Sequence, residues 1–182
     1  MRYHRLILLS SVLLGGLLPW PCVCQANEVS EAEIKAVFVY NFASFVRWPS
    51  DIADSGNFSV CALGEDEVTR LLPKVVDGEA VGDEVLRFHP KTASDDLRTC
   101  RILYSASVDQ PLVENILVAL QGTSVLTVSS QEGFAQRGGA IELGRKGRNV
   151  HPVINKTTIR DARLRVSAPL MRLATVIEVE AR

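Results

Sequence analysis

Apolar positions along this chain fall into short runs that switch between a helical and an extended rhythm. Ser30-x-x-Glu33 has the form of a capping box ahead of a helix-periodic run, so a helix is predicted from near Glu31 to before Pro49. Phe58–Leu63 reads as a strand, Glu65–Leu72 as a short helix and Val81–Phe88 as extended. Arg101–Ser105 reads as a strand, Gln110–Leu120 as a helix and Ser124–Val128 as a further strand. Two extended runs, Gly139–Gly144 and Asn149–Ile154, are split by Gly144-Arg-Lys-Gly147, which suggests a hairpin. Thr157–Ala162 and Pro169–Ile177 look helical, with Ser167 placed to cap the second. Strands alternating with helices predict an α/β fold: a single layered domain, with a mostly parallel or mixed sheet and helices on both faces.

The first helix carries the densest aromatic stretch, "VFVYNFASFVRWPS". On a helical wheel Ile34, Val37, Phe38, Asn41, Phe42, Phe45 and Trp48 share one broad face, while Glu33, Ala36, Tyr40, Ala43, Ser44 and Arg47 take the other. A sided helix of this kind packs its aromatic stripe on a sheet, and Asn41, within the stripe, is expected to bond backbone there. Trp48 has two readings: it closes the end of the core, or it presents an edge to a partner.

The N-terminus changes the compartment. Arg2 and Arg5 precede an uncharged run from Leu6 to Leu18, and small or polar residues lead to Gln25-Ala26, the pattern of a secretory signal peptide. The run is too short to span a bilayer. Cleavage is expected after Ala26, giving a leader of residues 1–26 and an exported domain of residues 27–182. A lipid-modified Cys22 is the competing outcome, but Pro19-Trp20-Pro21 does not resemble a small-residue lipid-attachment box.

Removal of the leader takes away Cys22 and Cys24 and leaves Cys61 and Cys100, which an oxidising compartment would join as a disulfide. Closing that 39-residue separation stabilises a fold by about 4 kcal/mol in the loop-entropy account. Loss of Arg2 and Arg5 leaves 18 basic against 21 acidic side chains, a net charge of −3 that gives no sign of a nucleic-acid partner. The charge is unevenly spread. Residues 27–136 hold 8 basic and 17 acidic side chains, whereas residues 137–172 hold 9 and 2. The basic set is Arg137, Arg145, Lys146, Arg148, Lys156, Arg160, Arg163, Arg165 and Arg172. It would suit an acidic protein surface, a small anion or anionic lipid.

Signals for chemistry are weak. His89 and His151 have no second histidine or cysteine at metal-ligand spacing. Gly139-x-x-x-x-Gly144 begins like a phosphate loop but continues Arg145-Lys146 in place of Lys-Ser/Thr. Asp95-Asp96 and Glu65-Asp66-Glu67 sit at helix starts, where the helix dipole accounts for them. No catalytic residue, cofactor or metal is expected.

The segments "YNFASFVRWP", "FSVCALG", "GTSVLTVSSQEGFAQRGGAIEL" and "INKTTIRDARLRVSAPLMRLATVI" together resemble the YfiR family over nearly the whole processed chain. The resemblance implies a periplasmic, non-enzymatic regulator. It implies binding to the periplasmic part of an inner-membrane diguanylate cyclase, restraint of cyclic-di-GMP output and of biofilm formation, and relief by an OmpA-like peptidoglycan-associated lipoprotein. Cys61 and Cys100 match the family's first disulfide, while Ala135 and Glu142 stand where some relatives carry a second. The candidate partner surface is Trp48, Pro49, Ile159, Arg160, Arg163, Arg165, Val166 and Pro169. Self-association as a homodimer stays open. The competing readings are a periplasmic small-molecule sensor module and an envelope enzyme.

Overall fold

The computed structural model describes residues 29–52, 56–106 and 109–179; the leader, its cleavage site and Cys22 lie outside the described residues. Helix α1 (Glu31–Phe45) starts as the sequence indicates. Ser30 Oγ accepts the Glu33 amide at 3.1 Å, and the Glu33 carboxylate accepts the Ser30 amide at 2.6 Å. The strands that follow are β1 (Val46–Arg47), β2 (Asn57–Leu63), β3 (Ala80–Val81), β4 (Glu84–Lys91), β5 (Ile102–Ser105), β6 (Leu126–Ser129), β7 (Ile141–Lys146), β8 (Asn149–Asn155), β9 (Arg165–Val166) and β10 (Thr175–Ile177). Helices α2 (Glu67–Val76), α3 (Gln110–Ala119), α4 (Lys156–Asp161) and α5 (Ala168–Leu173) lie between them.

Eight strands form a mixed sheet in the order β10-β8-β7-β6-β5-β2-β4-β3. Parallel pairing joins β4, β2, β5, β6 and β7, while β8 returns antiparallel to β7 as the expected hairpin. A separate two-stranded ribbon pairs β1 with β9. Alternation along the strands divides the core. Val60, Ala62, Ile102, Tyr104, Leu126 and Val128 share a large core with α1, α2, α4 and α5. Cys61, Leu63 and Leu103 face the other way, toward Leu97, Leu120 and Ile116 of α3. Cys61 and Cys100 are joined across this smaller core, with their Cα atoms 5.8 Å apart.

Three expectations change. The buried face of α1 is Ala32, Ala36, Val39, Phe42 and Ala43, nearly opposite the aromatic stripe, with Phe42 common to both. Small alanines let the helix backbone approach the sheet, where a row of phenylalanines would hold it away. Val37 and Phe45 are exposed, Phe38 flanks Phe42 with ring centroids 6.2 Å apart, and Asn41 is only half-buried, so it is not an amide locked to the sheet. Helix α2 begins after Asp66, whose carboxylate accepts the Thr69 amide at 2.7 Å, and it runs through Pro73 rather than stopping at Leu72. Burial of Leu72 and Val76 offsets the donor that proline removes. The C-terminal helix ends at Leu173, because Thr175–Ile177 pairs with Val153–Asn155 as strand β10.

The segment between β6 and β7 is held by polar bonds. Ala135 donates its amide to Glu142 Oε2 at 3.2 Å and accepts from Asn155 Nδ2 at 2.9 Å. Positions 135 and 142 are thus joined by a carboxylate and a backbone amide. Gly139 is required by packing: a Cβ there would stand 2.1 Å from the buried Phe134 ring. Neither Gly139 nor Gly144, which lies within β7, belongs to a phosphate loop.

Candidate functional site

The candidate surface is built where α1 ends. The helix stops at Phe45, four residues before Pro49, because Val46 and Arg47 turn extended and pair with Val166 and Arg165 of β9. Pro49 also disfavours helical geometry at Trp48. The Ser167 amide donates to Phe45 O at 2.8 Å and closes the ribbon. Ser167 stands at the N-cap of α5, but its hydroxyl makes no capping bond.

Trp48 leaves this ribbon and packs inward. Its ring meets Phe58 edge-on at 4.9 Å between centroids, and the Arg101 guanidinium lies 4.6 Å from the Phe58 ring and 5.4 Å from the Trp48 ring. Arg101 is fixed by a two-point bond to Glu84, at 3.1 and 3.3 Å, and by Ile52 O at 3.2 Å. Trp48 is therefore a half-buried lid on the core, with Pro49 half-buried beside it.

On the other side of the ribbon, Asn155 caps α4 by accepting the Thr157 and Thr158 amides at 3.0 and 3.2 Å. The helix ends with Arg163 at φ 58°, in the left-handed region that usually calls for glycine, and the Leu164 amide returns to Ile159 O at 3.0 Å. A groove of about 500 Å³ opens along this turn. Ile154, Ile159, Leu164, Val166 and Met171 form its apolar wall, and Lys156, Arg160, Arg163 and Arg165 form its rim.

Most of these cations have acidic neighbours. Lys156 meets Glu178 at 2.6 Å, Arg160 meets Asp161 at 3.3 Å and Arg163 meets Asp51 at 3.1 Å. The bond from Lys156 holds the exposed Glu178 carboxyl below its ordinary pKa. Arg165 differs: its register partner across the ribbon is Arg47, both are exposed, and neither has an ion pair among the described residues. Like charges directly opposite each other on paired strands are unfavourable.

Two distant segments thus meet in space, with Trp48 and Pro49 next to the ribbon that carries Arg165 and Val166. Arg160, Arg163, Arg165 and Pro169 are exposed, whereas Ile159 is buried and belongs to the core. Arg47, which the linear sequence placed on a helix, joins the surface through strand pairing. The nine basic residues that looked like one block divide instead. Arg145, Lys146 and Arg148 lie at the far hairpin, and Arg137 sits in the β6–β7 segment, bonded to Glu132 O at 3.0 Å.

Elsewhere the polar groups are structural. The Tyr104 hydroxyl donates to Asp66 Oδ2 at 2.7 Å and lies 3.0 Å from Ser130 Oγ; burial drives its pKa well above the ordinary tyrosine value. Asp95 accepts the Thr92 amide at 2.6 Å, which holds its carboxyl below the usual range, and Asp96 caps the turn at Leu97–Thr99. His89 is exposed on β4, and His151 Nε2 lies 2.9 Å from Thr175 Oγ1. Among the described residues, no three His, Cys, Asp or Glu side chains are grouped to hold a metal. No described helix is long and apolar enough to cross a membrane.

No curated protein matches the chain. A family model described as YfiR/HmsC-like matches residues 32–175, which include the ribbon, the groove and the cystine. The chain belongs to the YfiR/HmsC-like family.

Proposed function

We propose that this protein is a periplasmic negative regulator that binds the periplasmic part of an inner-membrane diguanylate cyclase and lowers cyclic-di-GMP and biofilm formation. An OmpA-like peptidoglycan-associated lipoprotein is proposed to relieve that restraint. Family membership supports the regulatory role. The observation that supports this surface as the binding site is the Arg47–Arg165 register pairing: exposed like charges opposite each other are unfavourable, and an acidic partner group would relieve them. The apolar groove beside it supplies area for a partner's hydrophobic side chains. Titrating the purified chain into the isolated periplasmic part of the cyclase tests this reading; a complex that weakens with salt supports it, and no complex at low salt rejects it.

The groove also favours a second reading, as a sensor for a small anionic or aromatic molecule. A ligand at a hundred times its dissociation constant would stabilise the fold by about 2.7 kcal/mol, so a thermal-shift screen separates the two.

A further inference from the structure

The β7–β8 hairpin runs past the rest of the sheet. β6 pairs with β7 only as far as Glu142, and β10 reaches β8 only from Val153 onward, whereas the hairpin continues through Arg145↔Val150 and Lys146↔Asn149. Leu143 is still buried in the core, and beyond it Gly144 to Lys146 form a two-stranded end, or finger, about 7 Å long at the antiparallel rise. Gly147, at φ 63°, makes the tight turn, and Arg145, Lys146 and Arg148 are all exposed at the tip. Arg145 reaches Glu31 at 3.4 Å and so ties the finger to the start of α1; Lys146 and Arg148 have no ion pair among the described residues. The groove differs in this respect, since three of its four cations face acids.

We propose that this finger is a contact site for anionic phospholipid, laying Arg145, Lys146 and Arg148 against the phosphates of a membrane surface. A projecting turn with little apolar surface, where Lys146 and Arg148 are without an ion pair among the described residues and Arg145 shares the already paired Glu31, suits headgroups rather than acyl chains. The inference stands without the cyclase reading. Joined to it, the geometry is specific: Glu31 at one end of α1 touches the finger and Val46–Arg47 follow its other end. The Arg47–Arg165 ribbon therefore follows the far end of α1, about 22 Å along a 15-residue helix from the finger's contact at Glu31.

The test is sedimentation of the purified chain with vesicles of phosphatidylethanolamine and phosphatidylglycerol, against phosphatidylcholine alone. Binding is expected only to the anionic vesicles, weakening with salt. Each cation neutralised should lower it about fivefold, and Arg145→Gln, Lys146→Gln and Arg148→Gln together about a hundredfold. The Arg47→Gln/Arg165→Gln variant, with an intact finger, should bind as the parent does. No binding at low salt, equal binding to neutral vesicles, or loss through the ribbon variant rather than the finger variant would overturn the proposal. Competition by inorganic phosphate at constant ionic strength would also overturn it, by showing a discrete anion pocket in place of a surface.

Discussion

Arg47 and Arg165 face each other across the two-residue ribbon β1–β9, where like charges oppose pairing. Neutralising either as Gln should leave stability unchanged or raise it, by about 0.2–1 kcal/mol, while weakening partner binding. Denaturant melts alongside binding assays check this. A loss of stability from either substitution would mean that the pair is structural and would remove the reason for placing a partner there.

Trp48 caps the core through Phe58 and Arg101. Trp48→Ala should cost about 3 kcal/mol, and Trp48→Phe, which keeps a ring against Phe58, appreciably less. Equilibrium unfolding measures both. An unchanged midpoint for Trp48→Ala would show that the indole is free for a partner.

The two phenylalanines of α1 should behave differently. Phe42 is fully buried, so Phe42→Ala should cost about 3–5 kcal/mol, whereas exposed Phe45→Ala should stay within about 0.5 kcal/mol. Similar losses at both positions would contradict the observed rotation of the helix.

How much of this was legible in the sequence follows from the same contrast. The capping box at Ser30, the hairpin around Gly147 and the alternation of strands with helices are local signals, and local bonds fix them. The facing side of α1 is not local. Apolar residues surround that helix, and the sheet selects alanines over aromatics because they allow closer approach. The ribbon was illegible for a related reason: Val46-Arg47 meets Arg165-Val166 across more than a hundred positions, and helical spacing gives no hint of it. Trp48, Pro49 and the C-terminal arginines could be nominated singly, but only strand pairing brings them together. Pairing also adds Arg47 to the set, while packing leaves Ile159 mostly buried at the wall of the groove.

The cystine and the carboxylate clasp should contribute on different scales. Replacing Cys61 or Cys100 by Ser should cost about 2–5 kcal/mol and lower the abundance of the protein in the cell, and no free thiol should be labelled in the unfolded parent. Glu142→Ala leaves the buried Ala135 amide without its acceptor and should cost about 1–3 kcal/mol, while Glu142→Gln, which keeps an oxygen there, should cost less. Unfolding curves of the four variants check both; equal stability of Glu142→Ala and the parent would show the clasp to be incidental.

The central claim is restraint of the cyclase through the arginine ribbon, and cellular cyclic-di-GMP tests it most directly. Levels would be measured after deletion of the gene and after complementation with the parent chain or with Arg47→Gln/Arg165→Gln at matched periplasmic abundance. The account predicts that deletion raises cyclic-di-GMP, the parent restores it, and the ribbon variant does not. An unchanged level on deletion, or full restoration by the ribbon variant, would contradict it.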